Sequence, residues 1–263
     1  MKKWLFVCIC LILSLRVSSS LLVEPSRFEF ILNPADKTTG AIKVSNITDT
    51  PLLISVKAYD WILDTDGNLE NLAFGSHPTT LSGSMKFNPK QFNLSPGQTQ
   101  IVRFTLTMPA EEPKERRTMV FFETEQIAST GGIQTILQTQ IGTVIYAGLA
   151  KAVASFQVLD IKKISDDINL AFDLLCLNMG EVHIRLNLTY AVMDLNGQEL
   201  FSEQTVGNVI LPGQNQVLHL PITKQLSPGF YKLIGKFSFD GTQNILPFVI
   251  PFTIDIANKG GLQ

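Results

Sequence analysis

Residues 94–103 read LSPGQTQIVR, and residues 211–219 read LPGQNQVLH. Each stretch places a Pro-Gly turn and a glutamine directly before a run that can form a strand. Upstream of each stretch, one strand ends in an asparagine and a later strand ends in an aspartate. These residues are Asn46 and Asp60 in the first half of the chain, and Asn178 and Asp194 in the second. The same order of elements, found twice, predicts two copies of one fold.

Apolar and polar residues alternate through much of the chain from Leu22 onward, and no long stretch has the period of a helix. The alternation is clearest in residues 168–176 and 184–192. Period two with one polar side is typical of antiparallel strands whose inner face packs on a second sheet. We therefore predict an all-β protein with two tandem immunoglobulin-like β-sandwich domains, spanning residues 21–149 and 150–258.

Two single residues of the second half carry predictions of their own. Tyr231 follows the turn at Ser227-Pro228-Gly229, a position that suits a tyrosine corner, in which the hydroxyl bonds the backbone at a sandwich edge. The alternative for Tyr231 is an ordinary strand tyrosine. Cys176 has the apolar parity of its strand, so we expect a buried, unreactive thiol.

The first twenty residues have the pattern of a secretory signal peptide. Lys2 and Lys3 precede an apolar run that is too short to span a bilayer, and small polar residues follow it. We expect cleavage after Ser19 or Ser20, a periplasmic location, and no membrane insertion of the mature chain. Removal of this segment would take away three of the 21 basic residues and none of the 23 acidic ones. A mildly acidic protein without a basic stripe is not expected to bind nucleic acid.

The sequence offers no pattern for catalysis, a cofactor or a metal. The three histidines are scattered, the mature chain keeps one cysteine, and no nucleophile elbow or phosphate-binding loop is present. Residues 64–70 read DTDGNLE, but Gly67 comes too early for a calcium loop, and Gly75 stands where such a loop has its last acidic ligand. A β-turn explains these residues more simply. We predict a protein that is not an enzyme and has no cofactor or metal.

Five motifs of the first half, in this order, resemble the N-terminal domain of the PapD-like periplasmic chaperones that serve chaperone–usher pili. They are Ser26-Arg27-Phe28-Glu29-Phe30; Val44-Ser45-Asn46 with Pro51; Phe92-Asn93-Leu94-Ser95-Pro96-Gly97-Gln98 leading to Ile101-Val102-Arg103; Glu115-Arg116-Arg117-Thr118-Met119-Val120-Phe121-Phe122; and Leu137-Gln138-Thr139-Gln140-Ile141. The resemblance covers residues 22–147. The second half is similar to the family only as a sandwich of the expected position and length.

The resemblance implies two sandwiches that meet at an angle around a guest-binding cleft. In the family a basic pair anchors the guest's terminal carboxylate, which suits charge-assisted hydrogen bonds. Arg27 matches the first cation, whereas the second, a lysine, falls on Gly142. The family's donor strand matches Ile133, Thr135 and Leu137. The alternatives are a solvated strand arginine for Arg27 and ordinary sandwich core for the other three.

The resemblance also implies a function and partners. It predicts a chaperone-like protein that binds pilin-like secreted subunits by β-strand addition, with an outer-membrane usher as a further implied partner. Arg117 stands where the family has an acidic residue that helps to brace the two domains, so the chain departs from the family there. The alternative function is a structural or adhesive surface module without a guest. A glycan-acting enzyme on a sandwich scaffold is the remaining hypothesis.

Overall fold

The computed structural model describes residues 21–111, 113–130, 133–165, 170–239 and 246–255, and within 125–138 and at 165 it describes the backbone alone. The predicted signal peptide, residues 1–20, lies outside this part of the chain. The described residues form strands and turns and no α-helix, and hence no helix that could cross a membrane. The predicted all-β class is confirmed.

The strands divide between the two halves of the chain. Those of the first half are β1 (Leu21–Glu24), β2 (Arg27–Leu32), β3 (Lys37–Asn46), β4 (Leu52–Leu63), β5 (Leu69–Ala73), β6 (Met85–Asn88), β7 (Gln91–Leu94), β8 (Thr99–Thr107), β9 (Glu115–Thr130) and β10 (Ile133–Leu149). Those of the second half are β11 (Phe156–Ser165), β12 (Leu170–Asn178), β13 (Ile184–Met193), β14 (Glu199–Ile210), β15 (Asn215–Ile222), β16 (Gly229–Phe239) and β17 (Leu246–Ile254).

The first half is a sandwich of two sheets. One sheet has the order β1-β3-β8-β6, and the other has the order β2-β10-β9-β4-β5, with β7 also paired to β4. Their inner faces share one apolar core, which includes Ile42, Phe104, Phe122 and Ile145, all at most 1% exposed. The inward residues alternate with outward polar ones, as in β8, and this is the pattern from which the fold was predicted.

The N-terminal residues belong to both sheets of the first sandwich. β1 pairs antiparallel with β3, and after a short bend β2 pairs parallel with β10 in the opposite sheet. Phe28 and Phe30 of β2 pack against the ring of Phe104, with centroids 5.0 and 6.1 Å away. Burial of these three rings fixes β2, and with it Arg27, on the edge of the second sheet.

The second half repeats the architecture. Sheets β11-β12-β15 and β14-β13-β16-β17 enclose a second core. Cys176 lies buried in that core as predicted, and burial raises the pKa of its thiol to about 12, which disfavours the reactive thiolate. The Tyr231 hydroxyl donates to the carbonyl of Ser227 at 2.7 Å, which confirms the tyrosine corner. The two-sandwich architecture is therefore confirmed, while the boundary at residues 149/150 remains a prediction.

The internal repeat extends to individual hydrogen bonds. The side-chain amide of Asn46 donates to the carbonyls of Thr50 and Leu94, and that of Asn178 donates to the carbonyls of Val182 and Ile210. In both places the amide N–H of a Pro-Gly-turn glycine donates to the backbone carbonyl of the same asparagine. Each asparagine thus ties a loop to the turn before the next strand, which supports two copies of one fold.

The repeat needs one correction, at the aspartate that ends the later strand. The counterpart of Asp194 is Asp64 and not Asp60, because both Asp64 and Asp194 accept N–H groups two and four residues ahead. Asp60 is buried and accepts the backbone N–H groups of Gly75 and His77. The loop at residues 64–70 is thus closed by its own hydrogen bonds, as expected for a turn.

Candidate functional site

The edge of β10 that faces away from β9 is paired along only part of its length. β10 pairs with β9 along its whole length without a register shift, from Ile133 opposite Thr130 to Gly148 opposite Glu115. On its other side, β2 pairs with β10 only from Val144 onward. Among the strands that the structure describes, none pairs with that side of residues 133–143. A strand edge of this length is available for pairing with another chain.

The direction of the backbone groups on this edge follows from one hydrogen bond. The N–H of Val144 donates to the carbonyl of Ser26, 3.0 Å away on the β2 side. Successive residues of a strand direct their backbone N–H and C=O groups to opposite sides. In residues 133–143, the backbone groups of the even-numbered residues therefore point away from β9, to the edge that no described strand occupies. These residues are Gln134, Ile136, Gln138, Gln140 and Gly142. We call this row the open edge.

Arg27 lies at the end of the open edge. It is the first residue of β2 and pairs with Val144, one step beyond the last open residue, Gly142. Its side chain is 44% exposed, and its Nε lies 2.7 Å from Glu29 Oε1. Glu29 orients the guanidinium through that one nitrogen, which leaves the two terminal nitrogens for a further acceptor. The fold therefore brings together the predicted cation and the predicted strand.

The other three predicted residues are placed only through their backbone. Ile133, Thr135 and Leu137 lie on β10, and their side chains lie outside the described part of the structure. They have the parity of Ile145, which packs in the first core. Their assignment to guest binding remains a prediction.

Gly142 is covered by an aromatic ring. A Cβ atom added at Gly142 would lie 2.9 Å from Phe121 Cε1 and 3.1 Å from Met119 Sδ. Phe121 is directly opposite on β9 and only 8% exposed. A lysine at this position would require the ring to move, so the surrounding packing matches the absence of the family's second cation.

An apolar cluster that includes Phe121 joins the two sandwiches. Trp61, Met119, Phe121 and Tyr146 come from the first sandwich, and Leu211 comes from the second. Burial raises the pKa of the Tyr146 phenol to about 12. The cluster adjoins Val144, which pairs with Arg27, so it reaches the end of the open edge.

A buried carboxylate connects the sandwiches next to this cluster. Glu115 is 2% exposed, and its Oε2 accepts the backbone N–H of His183 at 2.9 Å and lies 2.6 Å from His183 Nδ1. Because a carboxylate accepts, Nδ1 carries the proton of this bond. The imidazole stacks on Tyr146 with centroids 3.8 Å apart. We call Glu115 and His183 the interdomain bond.

Arg117 does not take the bracing role of the family's acidic residue at that position. It is 3% exposed and lies over the Trp61 ring, 5.2 Å from the centroid, and burial lowers the pKa of its guanidinium. Glu115, two positions earlier, is an acidic residue that does contact the second sandwich. Sequence reasoning missed Glu115 and His183 because their contact joins residues from different domains, and no local pattern indicates it.

Replacing Glu115 with alanine should destabilise the interdomain contact. His183 would lose the acceptor for its backbone N–H and its Nδ1–H, and we expect the free energy of unfolding to fall by about 2 to 3 kcal/mol. Trp61 is the one tryptophan after residue 20 and lies in the interdomain cluster, so its fluorescence in a urea titration reports the change. Glu24→Ala is the control, because the side chain of Glu24 is 53% exposed and its ion pair lies within the first sandwich, so its loss should cost less than about 1 kcal/mol. Equal losses for the two variants would contradict the assignment.

Comparison with solved structures identifies the fold. A chaperone–tip adhesin complex of CFA/I fimbriae matches with a TM-score of 0.50 and 13% identity, covering 89% of this chain and 98% of the other. The class 5 fimbriae chaperone CfaA matches with a TM-score of 0.50 and 13% identity, covering 87% and 98%. The CsuC–CsuE chaperone–tip adhesion subunit complex of Acinetobacter baumannii matches with a TM-score of 0.46 and 12% identity, covering 88% and 98%.

No protein-family model and no curated protein sequence matches the chain. At 13% identity the structural matches establish the architecture of the chain. The predicted PapD-like arrangement of two sandwiches is thereby confirmed.

Proposed function

We propose, from the fold that the chain shares with the class 5 fimbriae chaperone CfaA, that this protein is a chaperone-like protein of the periplasm. In this proposal it is not an enzyme, and it binds pilin-like secreted subunits by adding a strand of the guest to its own sheet. The observation that carries the proposal is the open edge of β10, at the end of which Arg27 lies. Backbone hydrogen bonds would supply affinity, and alternate side chains would supply selectivity.

The contrast with another sheet edge supports this use of β10. β17 is the last strand of its sheet, and it contains Pro247 and Pro251, four residues apart. A proline has no N–H to offer, so β17 lacks two of the donors that would face an added strand. Residues 133–143 contain no proline. Proteins usually protect long strand edges by such means, and an unprotected edge suits a strand that accepts a partner.

Arg27 would fix the direction of the guest strand. β2 begins at Arg27 and occupies the edge of β10 beyond Val144, so a guest on the open edge would meet β2 end to end. If Arg27 holds the guest's terminal carboxylate, the guest strand ends beside Gly142. It then runs in the same direction as β10, and its pairing is parallel.

The donor side chains in this proposal are Ile133, Thr135 and Leu137. They alternate along β10, as a strand that fills a groove in a guest requires. Thr135 stands between two larger apolar residues, so the guest should offer least room opposite Thr135. The anchor at the end of this strand has one cation, because Gly142 replaces the second.

The test begins with isolation of the guest. The gene, including its predicted signal segment, is expressed with an affinity tag, and proteins that co-purify from the periplasm are identified by mass spectrometry. The proposal expects secreted chains whose C-terminal segment alternates apolar and polar residues. Recovery of the protein without any such chain would instead favour the structural or adhesive surface module.

Replacing Arg27 with alanine should weaken guest binding about tenfold, since one partly exposed charge-assisted bond is lost. The measurement is titration of the wild type and the variant with the C-terminal peptide of the captured guest, as free acid and as amide. Amidation should weaken binding to the wild type and have little further effect on Arg27→Ala. The control is Arg103→Ala, an exposed arginine on β8 in the opposite sheet. Equal affinity of the wild type for acid and amide would contradict the anchoring role of Arg27.

A further inference from the structure

A gap in the first sandwich lies away from the open edge. On the side of β4 opposite β9, β7 pairs with residues up to Ser55, and β5 pairs with residues from Tyr59 onward. The backbone between these pairings is bordered by β6 of the other sheet and by Lys90. The space between them is a pocket of about 750 Å³. That volume is within the range of small-molecule sites, roughly 300 to 1,000 Å³.

The walls of this pocket are mainly apolar. Val56 and Met85 belong to the buried core of the sandwich, and Phe74 and Phe87 are partly buried against that core. The pocket is thus a lateral opening of the hydrophobic core at the edge of the two sheets. An apolar chain that entered it would leave water and contact aromatic and aliphatic side chains.

The rim of the pocket is positively charged. Lys86 and Lys90 are exposed, and Lys90 Nζ lies 5.8 Å from the centroid of the Phe87 ring. Neither lysine has a carboxylate within ion-pair distance among the residues that the structure describes. Lys57, the third lysine at the pocket, differs from them because its Nζ lies 2.5 Å from the buried Glu123.

We propose that this pocket binds an anionic amphiphile with a single apolar chain, of the class of fatty-acid carboxylates. The apolar walls would take the chain, and Lys86 and Lys90 would hold the anionic head at the rim. The pairing of two unneutralised ammonium groups with an apolar interior selects against neutral and cationic amphiphiles of the same length. This inference is independent of guest binding, because the pocket and the open edge use different strands.

Competition with a fluorescent probe tests the proposal. The intact protein is saturated with 1-anilinonaphthalene-8-sulfonate, and dodecanoate, dodecanol or dodecylammonium is added below its micelle concentration. Dodecanoate should displace the probe in a saturable manner and at lower concentration than the other two. Equal potency of dodecanoate and dodecanol, or no saturable displacement, would overturn the proposal.

Two lysine variants locate the binding site. In the double variant Lys86→Gln with Lys90→Gln, the dissociation constant for dodecanoate should rise at least about fivefold, as expected for the loss of two exposed ion pairs. The matched control is Lys37→Gln, an exposed lysine on β3, which should change the constant less than about twofold. Because all three lysines are exposed, the thermal midpoints should remain unchanged. An equal effect of the control and the double variant would place the ligand elsewhere and overturn the proposal.

Discussion

Replacement of both Gln134 and Gln138 with proline should abolish guest binding while the protein remains folded. Both residues direct their N–H groups to the open edge, so proline removes two donors that β9 does not use. The two prolines would have the same spacing as Pro247 and Pro251 in β17. We expect affinity for the guest peptide to fall at least about a hundredfold, since two backbone hydrogen bonds are lost and the rings obstruct the edge.

The control for this variant is a proline of opposite parity. Thr139 directs its N–H towards β9, where it pairs with Thr124, so Thr139→Pro removes a bond of the folded sheet. It should lower the free energy of unfolding by about 1 to 3 kcal/mol. Circular dichroism and a urea titration distinguish the two cases. If the Gln134/Gln138 double variant is folded and still binds the guest peptide with native affinity, the guest does not pair with β10.

Replacement of Gly40 with alanine should destabilise the first sandwich by about 1 to 3 kcal/mol, because it overpacks a filled core. A Cβ at Gly40 would lie 2.2 Å from Cζ of Phe104, which is directly opposite on β8. Phe104 cannot move away easily, because Phe28 and Phe30 hold its ring. Denaturant titration measures the loss.

Gly148→Ala is the matched control for this substitution. The nearest atom to a Cβ at Gly148 is 3.4 Å away, an ordinary contact, so we expect a change below about 0.5 kcal/mol. In the second sandwich, Gly235 lies beneath Phe248 in the same way, with a contact of 2.3 Å. Gly235→Ala should therefore destabilise the second sandwich as Gly40→Ala does the first. Equal stability of the Gly40 and Gly148 variants would mean that Phe104 repacks freely.

The fold could be predicted because its evidence is local in the sequence. Alternation along residues 184–192 determines which side chains of β13 face the core, and the Pro-Gly turns before β8 and β15 mark both copies of the sandwich. Arg27 could be predicted as a guest-binding residue only through its motif, since an arginine on a strand carries no signal of its own. The structure then puts it beside the end of the open edge.

The contacts that the sequence did not reveal are those between distant residues. Gly40, Gly142 and Gly235 each lie opposite a phenylalanine on the neighbouring strand, and a glycine within a strand gives no sign of which ring covers it. The absence of the family's lysine at Gly142 could be seen from the sequence, but its physical reason, the Phe121 ring, could not. Glu115 and His183 likewise meet only when both sandwiches are in place.

The position of β2 has a consequence for the order in which the first sandwich assembles. β9 and β10 are adjacent in sequence and can form a hairpin early. Arg27 and Val144, which pair in the finished sheet, are separated by almost the whole sequence of the domain. We expect the docking of β2 to be a late and slow step, because the entropy of closing a long loop opposes a contact between such distant residues. Until then the entire outer edge of β10 is unpaired, and newly made chains could associate with one another through it. Dilution or slow synthesis should therefore improve the yield of correctly folded protein. The arrangement of strands that leaves the edge open in the folded protein would thus also make its folding yield depend on concentration.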